Sequence, residues 1–333
     1  MHFAEILLEP QPAPAWTVLR QLGIEHAVGV LPRRYADWRE SRSDPPWTYT
    51  PLALYNQMVE EAGLRLAVIE DNPPMDAIRL GGPGREEEIE HFCTLVRSMG
   101  RLGIPVLCYN WMTVLGWIRT SVALRGRGGA VVSGYDDRVL AQAPPAVEGG
   151  VDETRLWDNL RTFLERVVPV AEEAGVRLAM HPDDPPLSPI RGVARIMRSV
   201  DAFQRLLDLV PSEANGITFC QGNFTLMTDD IPAAIRQFGG QRRIHFVHFR
   251  DVQGERSDFV ETFHDEGKTD MLACMRAYHE IGFDGVMRSD HTPTLAGDRA
   301  DVAGYSLLGR IHAVGYMTGL REAVEAEVRE PTR

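Results

Sequence analysis

Four side chains of this sequence could share one metal ion. His181, Cys220, His248 and Asp290 each close a short apolar run, such as Leu178-Ala179-Met180 before His181 and Phe246-Val247 before His248. Together they offer nitrogen, sulfur and oxygen donors, a mixture that suits a borderline divalent ion such as Mn, Fe, Co or Zn. Mg or Ca would call for oxygen donors alone. With substrate oxygens completing the shell, the expectation is an octahedral Mn2+ site, with Fe2+ or Co2+ as alternatives.

Each residue also has a plainer reading. His181 opens His181-Pro182-Asp183-Asp184-Pro185-Pro186, and Asp and Pro are ordinary turn residues. Turn chemistry does not explain a His at the end of an apolar run. A buried Cys is usually an inert small hydrophobe, and only its place beside the two histidines marks Cys220 out. Asp290 could cap a turn. His245 and His248 stand three apart on one strand, so they face opposite sides of it. His248, nearer the C-terminal end, is the one expected to face the site, leaving His245 to pack elsewhere.

These residues need a scaffold that gathers distant strand ends. Eight β-branched or apolar runs alternate with helical patterns: 3–8, 27–31, 64–70, 104–110, 176–181, 216–220, 244–250 and 285–290. Continuous apolar runs suit strands covered on both faces, as in parallel sheets. Gly23, Gly63, Gly103, Gly175 and Gly282 stand where helices should end before the next strand. Asp201 and Thr269-Asp270 read as helix N-caps. Eight strand–helix units give one (β/α)8 TIM barrel of the xylose-isomerase-like kind, spanning 1–333. A doubly wound sheet is the runner-up, but no GxGxxG follows the first strand. Segments 33–50 and 121–150, rich in Pro, Gly, Arg and Asp, read as irregular loops over the barrel mouth. In this fold the site lies at the C-terminal ends of the strands, which is where the four candidate ligands fall.

Composition narrows the function. The 333 residues carry 35 basic and 47 acidic side chains, a net charge of −12, with 44% hydrophobic and 25% charged residues. A globular chain of this sign is a poor partner for nucleic acid or an anionic membrane. No apolar run reaches the roughly 18 residues of a membrane span. Cys93, Cys108, Cys220 and Cys274 form no CxxC pair, which points to reduced thiols and a cytoplasmic setting. The run Gly126–Gly134 lacks the Lys-Ser/Thr of a phosphate loop, and there is no G-x-S-x-G.

The chain resembles the mannonate dehydratases. The resemblance lies in Cys108-Tyr109-Asn110-Trp111-Met112 with Trp117-Ile118-Arg119-Thr120, in His181 to Pro186, and in Asn215 to Gly222. It continues through Ile244 to Val252, Arg288-Ser289-Asp290-His291, Gly304 to Arg310, Gly315-Tyr316 and Gly319-Leu320, covering about residues 60–325. The first 60 residues and the stretch 121–146 depart from the family pattern. The resemblance implies a Mn2+-dependent hydro-lyase converting D-mannonate to 2-keto-3-deoxy-D-gluconate by loss of the C2 proton and the C3 hydroxyl. It implies His181, Cys220, His248 and Asp290 as metal ligands, and Asp290 and Tyr305 as the residues of the chemistry. Asn110, Arg119, His264, Arg288 and His291 fall at substrate-contact positions, with Arg119 or Arg288 expected to fork onto the substrate carboxylate. It also implies a small-molecule partner and a homo-oligomer. The assignment of acid and base stays open at this level. Two other functions remain: a metal-dependent sugar isomerase or epimerase on the same barrel, and a sugar-acid-binding barrel without turnover.

Overall fold

All eight apolar runs become parallel strands, and they close on themselves. In the computed structural model, residues 1–33, 44–298 and 302–329 are described. The barrel strands are β1 (His2–Leu7), β2 (His26–Gly29), β3 (Arg65–Glu70), β4 (Val106–Asn110), β7 (Arg177–His181), β8 (Asn215–Cys220), β9 (Ile244–Phe249) and β12 (Val286–Ser289). They pair in that order around the ring, with β12 returning to β1. The inward set includes Ala4, Ile6, Val28, Val68, Val106, Ala179 and Phe246, which fill the barrel. The outward set, with Leu107, Leu178, Ile217 and Met287, packs under the helices. Alternation along each strand serves two apolar surfaces, which is why the runs are nearly unbroken.

The helical layer is α1 (Pro14–Gln21), α2 (Tyr49–Glu61), α4 (Arg85–Leu102), α5 (Glu153–Ala174), α6 (Val200–Leu209), α8 (Ile231–Gly240), α9 (Met271–Glu280) and α10 (Leu307–Arg329), with short helices α3 (Asp76–Leu80) and α7 (Gln221–Thr225). Asp270 caps α9, as expected, by accepting the Ala273 N–H at 2.9 Å. The cap of α6 is Ser199, accepting from Ala202, whereas Asp201 lies inside the first turn. There its charge meets the helix dipole. Of the segment 33–50, residues 34–43 lie outside the described ones, and Tyr49 already belongs to α2.

The stretch 121–150 is not the irregular loop expected. It contains β5 (Ser121–Arg125) and β6 (Val131–Asp136). These join β10 (Val252–Glu255) and β11 (Asp258–Glu261) in an antiparallel sheet of order β10-β11-β6-β5. Each hairpin interrupts one strand-to-helix connection of the barrel. The sheet exists because β6 meets β11, a pairing that local composition does not reveal. Among the described residues no helix is long and apolar enough to cross a membrane.

Candidate metal and active site

Strand register gathers the polar ends. Asn110 stands opposite His181, Cys220 opposite His248, and His248 opposite Arg288. The ligand atoms of His181, Cys220 and His248 all lie within 4.8 Å of one another. His181 Nε2 is 3.2 Å from His248 Nδ1. Asp290 joins them through Oδ2, 3.5 Å from His248 Nδ1 and 3.8 Å from Cys220 Sγ. The Pro182 carbonyl lies 2.7 Å from His181 Nδ1. A carbonyl only accepts, so Nδ1 carries the proton and Nε2 turns its lone pair to the cluster. Burial lowers the His181 pKa and keeps the ring neutral. His245 points outward to the Leu178 carbonyl at 3.0 Å, as the spacing requires.

This donor set fits a divalent ion. Four donors from four strand ends converge, three of them buried and His181 half-buried, and the two imidazoles present facing nitrogens with only a proton to share. A second group, Glu70, Cys108 and His248, also lies close together. There Arg288 already forks onto Glu70 at 2.7 and 2.8 Å, and Thr218 donates to the Cys108 sulfur at 3.1 Å. That group therefore already holds its cation.

A chain of alternating charges surrounds the cluster. Arg288 Nη1 bridges on to Asp290 Oδ1 at 2.9 Å. Arg250 Nη1 reaches Asp290 Oδ2 and Asp184 Oδ2, both at 3.1 Å. Arg119 forks onto Asp184 at 2.6 and 3.0 Å and meets Glu261 Oε1 at 2.6 Å. His291 Nδ1 lies between Arg250 Nη1 at 2.8 Å and Glu261 Oε1 at 3.0 Å. Such fully buried pairs do little for net stability but fix geometry, because each charge is costly without its partner. Burial alone would raise the Glu70 carboxyl; Arg288 and His248 overcome that and hold it near 2. Asp290 is likewise held well below the carboxylate range, against burial, by His291, Arg288 and His248. Burial and Arg288 both disfavour a charged His248, yet Glu70 and Asp290 prevail and raise it to about 9.

Tyr305 donates its hydroxyl proton to Asp290 Oδ1 at 2.9 Å. Burial, then the Asp290 charge, push its pKa well above the usual phenol value. Two backbone features bring it there. The Thr292 N–H donates to the Gly304 carbonyl at 2.7 Å, and Thr292 bridges Tyr305. Gly304 has φ of +86°, and a Cβ there would come within 3.2 Å of the His291 backbone. His291 itself sits at φ +42°, a conformation rare for a residue with a side chain.

The cavity over this cluster has a volume of about 350 Å³, and Glu70, Asn110, His181, His248, Arg288, Asp290, His291 and Tyr305 line it. A larger depression, about 660 Å³, lies at the other end of the barrel, where Arg177, Ile244 and His245 begin their strands, away from the donor cluster. Chemistry belongs to the smaller one.

The expected residues divide. His181, Cys220, His248, Asp290, Tyr305, Arg288, His291 and Asn110 gather at one mouth. Asn110 is pinned there, its Oδ1 accepting from Arg79 at 3.1 Å and from the Met112 N–H at 3.1 Å. Arg119 and His264 are buried behind the cavity wall rather than in its lining. Neither Arg119 nor Arg288 leaves its fork open to a substrate carboxylate, since Asp184 and Glu70 occupy them. Asp184, Arg250 and Glu261 were absent from the expected site. Asp184 was legible only as a turn residue, and Glu261 arrives on β11. Arg250, two residues past His248, gave the one available signal.

A closed parallel barrel with its polar cluster at the C-terminal mouth defines a xylose-isomerase-like TIM barrel. It superposes on a xylose isomerase-like TIM barrel protein from Mycobacterium smegmatis with a TM-score of 0.61 at 13% identity, covering 97% of each chain. A much closer match is the crystal structure of mannonate dehydratase from Streptococcus suis serotype 2, with TM-score 0.90 and 31% identity over 100% of this chain and 96% of that one. Mannonate dehydratase of Thermotoga maritima is 37% identical over 348 aligned positions, 92% of this chain and 93% of the relative. Residues 18–148 and 146–330 match the D-mannonate dehydratase (UxuA) family. The chain belongs to that family of hydro-lyases.

Proposed function

We propose that this protein dehydrates a sugar acid, D-mannonate, to 2-keto-3-deoxy-D-gluconate with a divalent metal, Mn2+, held by His181, Cys220, His248 and Asp290. The observation that carries the reading is the meeting of that donor set with the Tyr305–Asp290 pair at one cavity. When bound, the metal supplies a Lewis acid that polarises substrate oxygens and renders the C2 proton more acidic.

The side chains supply the proton traffic. Tyr305 keeps its proton and lends it to Asp290, so it serves as the acid toward the departing C3 hydroxyl. Asp290 is unsuited as a base, because Arg250, Arg288 and Tyr305 claim its two oxygens. His291 lines the cavity, with Nε2 at 3.7 Å from Asp290 Oδ1. In the tautomer that carries its proton on Nδ1 toward Glu261, the ring offers Nε2 to accept the C2 proton, and Arg250 Nη1 then serves Asp184 and Asp290 rather than Nδ1. At the mouth Arg250, Arg288 and a protonated His248 offset Glu70, Asp184 and Asp290, so in a chain whose net charge is −12 the bound metal would supply the positive charge that suits an anionic substrate.

The test is incubation of Mn2+-loaded protein with a panel of aldonic acids and a colorimetric assay for 2-keto-3-deoxy acids. Product from D-mannonate supports the reading. Isomerised or epimerised sugar instead of keto-deoxy acid, or thermal stabilisation without turnover, overturns it.

A further inference from the structure

We infer that Trp117 is a specificity-determining residue, an apolar platform for the unreactive C–H-bearing end of the polyhydroxy acid; this rests on the reading above. The indole is 41% exposed, yet it lines the cavity and is held in place from several sides. Buried Arg195 donates through Nη2 to the carbonyls of Leu115 at 2.9 Å and Gly116 at 2.7 Å. On the other side the Ile118 N–H donates to the Asp184 carbonyl at 3.3 Å, and Arg119 is forked onto the Asp184 carboxylate. The turn before Trp117 contains Val114 at φ +60°, an outlying conformation for a β-branched residue. A strained turn clamped by two buried arginines, ending in an exposed indole, spends binding groups on orienting that ring.

The ring's surroundings say what it meets. The Arg119 guanidinium lies 4.7 Å from the indole centroid, and the His291 ring meets it edge-on at 5.3 Å. The surface left over looks into a cavity whose floor is polar and charged, where Met112, Val302 and Ala303 are the aliphatic neighbours. The reacting end of the substrate belongs at the donor cluster and Tyr305. The opposite end of a chain of hydroxylated carbons then meets the apolar wall, where C–H groups pack on an aromatic face.

One carbon of extra packing in such a pocket discriminates by about 10- to 200-fold. The experiment compares kcat/KM for a six-carbon and a five-carbon aldonic acid of matching C2 and C3 configuration, in wild type, Trp117→Phe and Trp117→Ala, each with metal content measured. The expected result is that Trp117→Ala shrinks the six-over-five preference about tenfold or more. The loss falls in KM for the longer acid, kcat stays near wild type, metal content is unchanged, and Trp117→Phe lies between. Equal losses on both acids, or a loss confined to kcat, would overturn the assignment. Wild type turning over neither acid defeats the proposed function itself, a result distinct from an unchanged preference in Trp117→Ala.

Discussion

The Tyr305 hydroxyl donates to the same Asp290 oxygen that Arg288 holds, while the other oxygen of Asp290 faces Cys220 and His248. One carboxylate therefore joins the donor cluster to the proton-bearing phenol. Its two oxygens are divided between them.

That division separates two kinds of loss. Tyr305→Phe should lower kcat by about 10²- to 10⁴-fold, the usual value of a positioned acid, while metal content stays at wild-type level. Steady-state kinetics with elemental analysis on one preparation checks it. Substantial retained turnover refutes the acid role.

His181→Ala and Cys220→Ala should instead lose the metal. Each removes one of three donors whose ligand atoms lie within 4.8 Å of one another. The expected outcome is substoichiometric Mn by elemental analysis after dialysis, with a folded far-UV spectrum. Full occupancy in both variants rules out this ligand set.

Arg250 tests the ion network. Its Nη1 touches Asp184, Asp290 and His291, and the side chain is buried. Arg250→Met strands buried carboxylates, a change that costs about 3–5 kcal/mol. Urea unfolding at neutral pH reads it. A change under about 1 kcal/mol, the value of an exposed pair, would show that the network relaxes without it.

The acid limb of stability has a source outside the site. Burial lowers the His245 pKa from 6.5 to about 4, though the Leu178 carbonyl opposes it. Between those values the unfolded chain binds the proton more readily, so stability falls as pH drops from about 6.5 to 4. For a shift of this size the contribution is about 3 kcal/mol. His245→Gln should flatten that part of the curve, measured by denaturant unfolding at pH 7 and pH 4.5. A slope equal to wild type assigns the acid sensitivity elsewhere.

The barrel was readable because its strands are buried on both faces, and such strands appear as unbroken apolar runs. Polar residues at the ends of those runs stand out by contrast, which is how His181, Cys220, His248 and Asp290 could be selected. Asp184 could not be. It sits in a Pro-rich turn where Asp is commonplace, and only the partners Arg119 and Arg250 give it another role. Glu261 and Arg119 are harder still. Their shared contact depends on β6 finding β11, and nothing in Val131–Asp136 or Asp258–Glu261 names a partner. Ser199 displaced Asp201 as the cap of α6 because the helix starts two residues earlier than the pattern suggests. Arg288 shows a different limit. Its position at the mouth was legible, but Glu70, which neutralises it, was read only as a strand end.

The accessory sheet has a consequence for the order of assembly. Between β6 and the β10–β11 hairpin the chain lays down α5, β7, α6, β8, α7, α8 and β9, so the two hairpins can meet only after all of that sequence has been synthesised. Non-local pairings of this kind come late in folding. Until they form, Arg119 has no Glu261 and His291 has no carboxylate at its Nδ1. A nascent or half-folded barrel thus has its strands but not its finished proton machinery, and chemical competence is postponed until the two excursions have met.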